Sequence, residues 1–419
     1  MAPSPTPQEG STRLPKRPKK FVPDPYDYHE IVELEIVSLS NLGAGIAKPN
    51  DWVVFVPFTL PGETVRARVY RNEGNCSHAD LLEIITPSPS RIEPQCKLFA
   101  SCGGCQYQHL GYPEQLEWKT RQVAELLRHM VGIDLPVLPA FPSPKQWGYR
   151  SKITPHFQKP KPKQHTPIGF LMHNRRSLII DVPHCPIAMD EINSDLPRAR
   201  KEVHDNATAY KKGSTLLMRA TDGRVETNHR NPVSEKVGEF TFNFLAGDFF
   251  QNNPSILPAF TDYVARQAAR PGQHFLLDAY CGSGLFALTL AKHFEKVTGI
   301  EVSETSADWA RRNAKTNGIE NTTFIAASAE HLFADITDPA PETSVIIDPP
   351  RKGCSEDFLN QLFAFGPERV VYVSCNPATQ MRDLRSFLEN GYRIEEIQPF
   401  DLFPQTRHLE CVVTMSRVD

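Results

Sequence analysis

The sequence predicts an α/β protein in three folded segments: a small β-barrel over residues 28–94, a mixed α+β segment over 95–245, and a doubly wound, mostly parallel sheet over 246–419. Three observations carry this reading. Short β-branched runs punctuated by Gly and Pro crowd the first segment; strand and helix patterns alternate from about residue 246 onward; and 419 residues suffice for two to three domains with a sizeable core.

Residues 1–27 come first. The opening 28 residues hold seven prolines and the basic run RLPKRPKK, without the apolar core of a signal peptide, so a disordered arm is expected. Nowhere do about 18 apolar residues run together, so no membrane span is expected. Net charge is only −3, which excludes a global basic field. Nine cysteines without a secretion signal point to a reducing, cytoplasmic setting and to metal or catalytic roles.

In the first segment IVELEIVSL, DWVVFVPFT, ETVRARVYRN and SHADLLEIIT read as strands, separated by NLGAGIAKPN, LPGE and EGNC. Four or five strands in such a span suggest a barrel, with Gly43 and Gly45 making a tight turn. The middle segment is proline-broken. Its one helix candidate is YPEQLEWKTRQVAELLRHM, where Leu116, Val123, Leu126 and Leu127 fall near helical spacing. Residues 145–176 hold eight Lys or Arg and no Asp or Glu, with Trp147, Tyr149, Phe157 and Phe170 interleaved. That mixture suits a phosphate backbone with bases to stack on; a solvated basic loop is the alternative.

The last segment alternates. HFLLDAY, KVTGIEV, TTFIAA, TSVIID and RVVYVSC read as strands, LFALTLAKHF and SETSADWARRNAKTNG as helices, with Ser303 as an N-cap and Gly318 as a C-terminal stop. HLECVVTMSRV closes the chain as a strand expected to pair antiparallel.

In LLDAYCGSGLFALTLA, Asp278 and Tyr280 end a strand and Gly282 and Gly284 turn into a helix, so a ligand can approach the backbone closely. The next strand ends in Glu301, where an acid can accept from ribose hydroxyls. The pattern resembles the S-adenosylmethionine site of the methyltransferase fold, with an NAD site as rival. In VIIDPPRKG, Asp348 ends the fourth strand and two prolines stiffen a wall for a flat substrate. Cys375, in VVYVSCNPATQ, ends the fifth strand, a position suited to a nucleophile, although free cysteines are more often small buried hydrophobes. Carbon 5 of a pyrimidine needs a thiolate at C6 before it can accept a methyl group, and then a base to remove its proton; Glu410 in RHLECVV is the candidate base.

Cys96, Cys102 and Cys105 form C-x5-C-x2-C, and Cys185 follows after 79 residues. Four thiolates can hold an iron-sulfur cluster or a tetrahedral zinc. Cys76, Cys281, Cys354 and Cys411 stand outside this group and are read as structural.

CGGCQYQ, FFQNN, DAYCGSG, DPPRKG, SCNP and HLE together resemble the RNA uracil-C5 methyltransferases, in that family's order, over about residues 28–419. The resemblance implies a class I S-adenosylmethionine methyltransferase domain (Rossmann-like) preceded by an OB-like TRAM barrel and a central domain. It implies a [4Fe-4S] cluster on Cys96, Cys102, Cys105 and Cys185. It implies that Gln251, Tyr280, Glu301 and Asp348 contact cofactor or substrate, beside the cofactor turn already read at Gly282 and Gly284, with Cys375 as nucleophile and Glu410 as base. Leu285 stands where many relatives have Asn. The expected partner is RNA, tRNA at uridine 54 or 23S rRNA, with the details FFQNNPSILP and LFPQT leaning to tRNA; no membrane partner and a monomer are expected. A DNA cytosine-C5 methylase fits less well, since Asp348-Pro349-Pro350 stands where those enzymes resemble a Pro-Cys nucleophile. An RNA-binding or folding factor is the reading from another class, and the pair Cys375 and Glu410 argues against that as the sole role.

Overall fold

A computed structural model describes residues 18, 20–327, 333 and 336–418. Of the expected disordered arm, residues 1–17 and 19 lie outside the described residues. Two compact units are present.

The first unit contains a six-stranded sheet: β1 (Ile31–Glu35), β2 (Ser38–Leu39), β3 (Ala44–Ala47), β4 (Val53–Pro57), β5 (Thr64–Glu73) and β6 (Cys76–Thr86), in the order β1-β5-β6-β4-β3-β2. Alternation of inward and outward residues packs Leu34, Val54, Val56, Val65, Ala67 and Val69 into its core. The segment expected to be only a turn holds β3, because Ala44 to Ala47 pair with β4. Gly43, at φ +77°, makes the turn. Gly45 serves another purpose: a Cβ there would lie 2.0 Å from Thr59 Oγ1. Phe21 is buried, and Asn72 donates to the carbonyls of Val22 and Tyr26 at 2.8 and 2.7 Å, which ties the start of the described chain to this unit.

The second unit comprises Asn41–Gly43 and Ser90–Asp419, so the central segment and the terminal sheet cluster together. Its helices are α1 (Tyr112–Leu126), α2 (Asp190–Asp205), α3 (Leu257–Ala268), α4 (Leu285–Leu290), α5 (Glu304–Thr316), α6 (Glu356–Phe365) and α7 (Pro377–Glu389). The centre carries small antiparallel ladders, among them Ile168–Met172 with Arg175–Asp181 and Pro232–Val237 with Phe240–Leu245. The large sheet has seven strands: β7 (Phe275–Ala279), β8 (Lys296–Glu301), β9 (Thr322–Ala326), β10 (Thr343–Ile347), β11 (Arg369–Ser374), β12 (Tyr392–Phe400) and β13 (Glu410–Arg417), ordered β9-β8-β7-β10-β11-β13-β12. Pairing is parallel from β9 to β11, and β13 runs antiparallel to both its neighbours. The central strands β10 and β11 are buried almost throughout and carry the apolar runs Val345–Ile347 and Val370–Val373, as burial on both faces requires. β12 was not legible in the sequence; its Arg393, Glu395 and Glu396 break the apolar run.

Ser303 caps α5 as expected, its hydroxyl accepting from the Ser306 amide at 3.3 Å, and Gly318 adopts φ +66° beyond the helix end. Helix α1 reaches the terminal hairpin through Lys119. This ammonium is fully buried, bonds Asp401 Oδ1 at 2.6 Å and also donates to the carbonyls of Phe403 and His408 at 3.3 and 3.0 Å. Burial lowers the Lys119 pKa, against the pull of Asp401. Removing one partner of such a pair strands a buried charge. Lys119→Met is expected to cost about 3–5 kcal/mol in stability, read by denaturant unfolding, with much of the loss restored in Lys119→Met/Asp401→Leu. Equal stabilities of parent and single variant would remove this pair from the account.

Candidate active site

In open α/β sheets the crevice lies at the carboxyl ends of the strands, where the order reverses. Here that point is between β7 and β10, strands that pair with one another and lead to opposite halves of the sheet. After β7 the chain turns through Tyr280 at φ +66°, Gly282 at φ +54° and Gly284 at φ +94°, then enters α4. A Cβ on Gly282 would meet nothing within 4 Å, so the turn offers its backbone to open space. Tyr280 holds a left-handed conformation that costs a non-glycine residue on the order of 1 kcal/mol or more. Its ring lies 5.2 Å from that of Phe358.

Glu301, at the end of β8, supports this turn: Oε2 accepts from the Gly282 amide at 3.0 Å and Oε1 from the Ser303 amide at 2.9 Å. Each oxygen keeps a second lone pair. Asp278 Oδ2 accepts from the Ala287 amide at 2.8 Å, whereas Oδ1 is buried with no hydrogen-bond partner. Burial holds the Asp278 pKa well above the carboxylate range, with Asp348 and Glu301 adding to the effect. An open glycine turn, a bracing acid and an unsatisfied buried acceptor fit a nucleoside-type cofactor carrying hydroxyl and ammonium donors. Leu285 is buried in the core, so it offers such a ligand no polar contact. Gln251 is buried on the chain that leads to α3; its neighbour Asn253 donates to Ser143 Oγ at 2.9 Å and to the Leu402 carbonyl at 3.0 Å.

The other half of the site lies on β10, β11 and β13. Ser374 pairs with Cys411, so one step further Cys375 comes opposite Glu410, at the same sheet edge. The Cys375 thiol is pushed up to about 12 by burial, then by Glu410 and Asp348; Arg351 acts the other way, by its charge and by a hydrogen bond. Burial also raises Asp348 to about 7 and Glu410 well above the carboxylate range, with Asp348 adding to the rise at Glu410 and Arg351 opposing it. Glu410 Oε2 is buried with no hydrogen-bond partner. Thiol, two acids and one guanidinium thus converge in a desolvated pocket, where a proton can pass between the acids and a thiolate can be stabilised by Arg351. Gln122, Leu126, Arg351, Cys375, Arg407 and His408 line the adjoining cleft. His408 is held neutral, its pKa pushed down to about 3 by burial and by Arg351, Arg407, Lys119 and Arg150.

The sequence assigns no role to Arg351 or His408, although both lie within the motifs DPPRKG and HLE. Arg351 is fixed by its own carbonyl, which accepts from Asn376 Nδ2 at 3.0 Å and Thr379 Oγ1 at 3.2 Å. Gly353, at φ +79°, has no room for a Cβ, which would come within 2.5 Å of Arg382 Nη2 and 2.6 Å of Asp383 Oδ2.

The four predicted ligand cysteines come together across the 79 intervening residues. Burial raises the Cys105 thiol, and Cys185, Cys102 and Cys96 each raise it further; Cys185 is pushed up to about 11 by burial, with Cys102 adding. All nine cysteines are free thiols. The basic window is divided. Lys159, Lys161, Lys163 and Arg175 are exposed, but Tyr149 and Phe157 are buried, so these two rings cannot act as stacking platforms.

A family model described as tRNA (Uracil-5-)-methyltransferase matches residues 187–418, and one described as TRAM domain matches residues 29–82. A tRNA (uracil(54)-C(5))-methyltransferase of Schizosaccharomyces pombe is 44% identical over 420 residues, covering 94% of this chain and 80% of that protein. The Saccharomyces cerevisiae protein of the same description is 36% identical over 475 residues, covering 93% and 74%. Among solved structures, the tRNA (uracil-54, C5)-methyltransferase of Pyrococcus abyssi, in complex with S-adenosyl-L-homocysteine, shares the fold with a TM-score of 0.72 at 24% identity, covering 92% of this chain and all of that one.

The raised carboxyl groups have a stability consequence. An acid whose pKa is higher in the fold than in the unfolded chain supports the fold fully below its unfolded pKa, and that support is lost as pH rises through the folded value. For Asp348, between an ordinary value near 3.8 and about 7, the loss is about 4 kcal/mol. Asp348→Asn and Glu410→Gln cannot ionise. Both variants are expected to melt near the parent at pH 4 and above it at pH 8; a gap that stays constant across this range would contradict the burial of ionisable acids here.

Proposed function

This chain belongs to the tRNA (uracil-5-)-methyltransferase family and carries a TRAM domain, and from that membership we propose that it methylates uridine 54 of tRNA through a covalent adduct between Cys375 and C6 of the uracil. The chain is an RNA uracil-C5 methyltransferase that uses S-adenosylmethionine. The observation that carries the mechanistic reading is the convergence of Cys375, Glu410, Asp348 and Arg351 at one sheet edge. Substrate choice follows the relatives, two of which are described as acting on uracil 54 of tRNA over more than nine-tenths of this chain.

In the resting site the sulfur is a thiol. Its proton leaves to a neighbouring carboxylate as uracil enters, and Arg351 stabilises the thiolate. Sulfur then bonds to C6, and the electron pair of the C5–C6 double bond moves onto C5 and O4. Gln251, Tyr280, Gly282, Gly284, Glu301 and Asp348 would hold the cofactor, which when bound would supply the methyl group as an electrophile. Glu410 in its carboxylate form takes the C5 proton, the double bond re-forms and Cys375 departs with the sulfur electron pair. Exposed Lys159, Lys161, Lys163 and Arg175 meet the RNA backbone. Nine cysteines without a disulfide among them suit a cytoplasmic setting.

For the four-cysteine centre, the wider reading is a [4Fe-4S] cluster on Cys96, Cys102, Cys105 and Cys185. One observation favours it over zinc. Among the described residues, the only three metal-binding side chains with ligand atoms within 4.8 Å of one another are Glu73, Cys76 and His78. No three of the four cysteine sulfurs therefore lie within 4.8 Å of one another, whereas thiolates on one tetrahedral zinc would stand roughly 3.8 Å apart.

Transfer RNA from a strain lacking this gene should lose 5-methyluridine at position 54; loss in 23S rRNA instead would replace the tRNA assignment. RNA bearing 5-fluorouridine at the target should trap a methylated adduct on the parent, and Cys375→Ala should form neither adduct nor product. Glu410→Gln should accumulate adduct on ordinary RNA and lower turnover by about 10²-fold or more. Product from Cys375→Ala would defeat the nucleophile assignment. Protein purified without oxygen should carry about four iron and four sulfide per chain, both lost in Cys102→Ser; stoichiometric zinc without sulfide would overturn the cluster.

A further inference from the structure

A second metal-binding arrangement stands in the first unit, apart from the four cysteines. β5 and β6 form a hairpin joined by only Gly74 and Asn75, and its register sets Glu73 directly opposite Cys76, with Arg71 opposite His78. Cys76 and His78 are two residues apart on one strand, so they project from the same face, and Glu73 faces them from the other strand. The ligand atoms already converge: Cys76 Sγ lies 3.8 Å from Glu73 Oε2 and 4.0 Å from His78 Nε2, while His78 Nε2 lies 3.5 Å from Glu73 Oε2.

We propose that Glu73 Oε2, Cys76 Sγ and His78 Nε2 form a three-ligand site for a zinc ion at the mouth of this hairpin, with solvent in the fourth position.

Typical bonds of about 2.3 Å to sulfur and 2.0–2.1 Å to nitrogen and oxygen place tetrahedral ligand atoms about 3.3–3.6 Å apart. The three observed separations exceed that by half an ångström or less, which side-chain rotation alone can close. The ligand set selects the ion: thiolate and imidazole suit zinc, whereas calcium and magnesium prefer oxygen. Surrounding groups orient it. Arg71 pairs with Glu73 Oε1 and so leaves Oε2 turned toward the sulfur. The His78 ring stacks on Phe55 with centroids 5.4 Å apart and is flanked by Tyr70 at 6.2 Å. Cys76 is buried beneath, and the side chains of Glu73 and His78 remain 37% and 29% exposed, which leaves an entry path and an open fourth position. A site of this kind differs from a closed structural zinc in keeping an exchangeable ligand.

The test uses the full-length protein, stripped with a chelator and titrated with zinc against a chromophoric competitor. The parent is expected to bind one zinc equivalent more than Cys76→Ser and than His78→Gln, and Glu73→Gln to bind that equivalent at least 10-fold more weakly. All four proteins retain Cys96, Cys102, Cys105 and Cys185, so the difference belongs to the hairpin. Cobalt in place of zinc should give a sulfur-to-metal charge-transfer band in the parent that is weaker in Cys76→Ser by one thiolate's share. His78→Gln and Glu73→Gln alter partly exposed side chains and keep the test valid if Cys76→Ser does not fold, as judged by circular dichroism. Identical zinc stoichiometry and affinity in the parent and His78→Gln would overturn the proposal.

Discussion

The site depends on how the loop that leads into β13 is held. Residues 401–409 contain no regular secondary structure, yet the base candidate Glu410 follows directly and His408 lies in the cleft. Side chains of α1, with Tyr149 and Asn253, fix this loop at several points. Lys119 neutralises Asp401 and binds two carbonyls; Tyr149 donates to the Pro404 carbonyl at 2.9 Å; Gln115 donates to Gln405 Oε1 at 3.0 Å and accepts from its amide at 3.0 Å; Asn253 donates to the Leu402 carbonyl. A loop buried in this way needs partners for its polar groups, and α1, Tyr149 and Asn253 supply several of them. This accounts for Gln115 and Lys119 being buried on a helix whose sequence looks like that of an ordinary amphipathic surface helix, while Gln122 is buried against the Tyr107 hydroxyl.

The reacting groups obey a related constraint. Cys375, Asp348 and Glu410 are each pushed toward their neutral forms by burial, and each acid makes its neighbours harder to ionise. Arg351 is the positive charge that opposes this, so the pocket can carry one negative charge more readily than two. A covalent mechanism needs that economy of charge, because sulfur, ring and base become anionic in turn, never together. The same desolvation that keeps the resting thiol protonated strengthens every interaction once a planar ring fills the pocket.

Much of this was legible in the sequence, and the reasons are specific. Strand ends were readable because β-branched runs stop at Gly, Pro or an acid, which located Asp278, Glu301, Asp348 and Cys375 on one edge. β12 was hidden because Arg393 and the adjacent Glu395 and Glu396 interrupt its pattern, although its far half is buried. β3 was mistaken for a turn because Gly45 looks like a turn residue, when it is glycine for lack of room beside Thr59. Arg351 lay within a quoted motif, but a guanidinium aimed at a thiol from another strand leaves no local signal. Neither does a triad such as Glu73, Cys76 and His78, whose meeting depends on hairpin register.

Register and topology also decide when the site can exist. β13 pairs with β11 on one side and β12 on the other, so the last strand of the chain inserts into the sheet rather than adding to its edge. Glu410 arrives with it. Before insertion β11 has an open edge, and Cys375 has neither the acid that faces it nor the burial that raises its pKa. Lys119 likewise waits across 282 residues for Asp401. Contacts of such sequence separation form late, because the entropy of closing long loops precedes any gain from the contacts. Nucleophile, base and desolvated pocket thus all depend on the same native contacts, the seating of 401–417 against β11, β12 and α1.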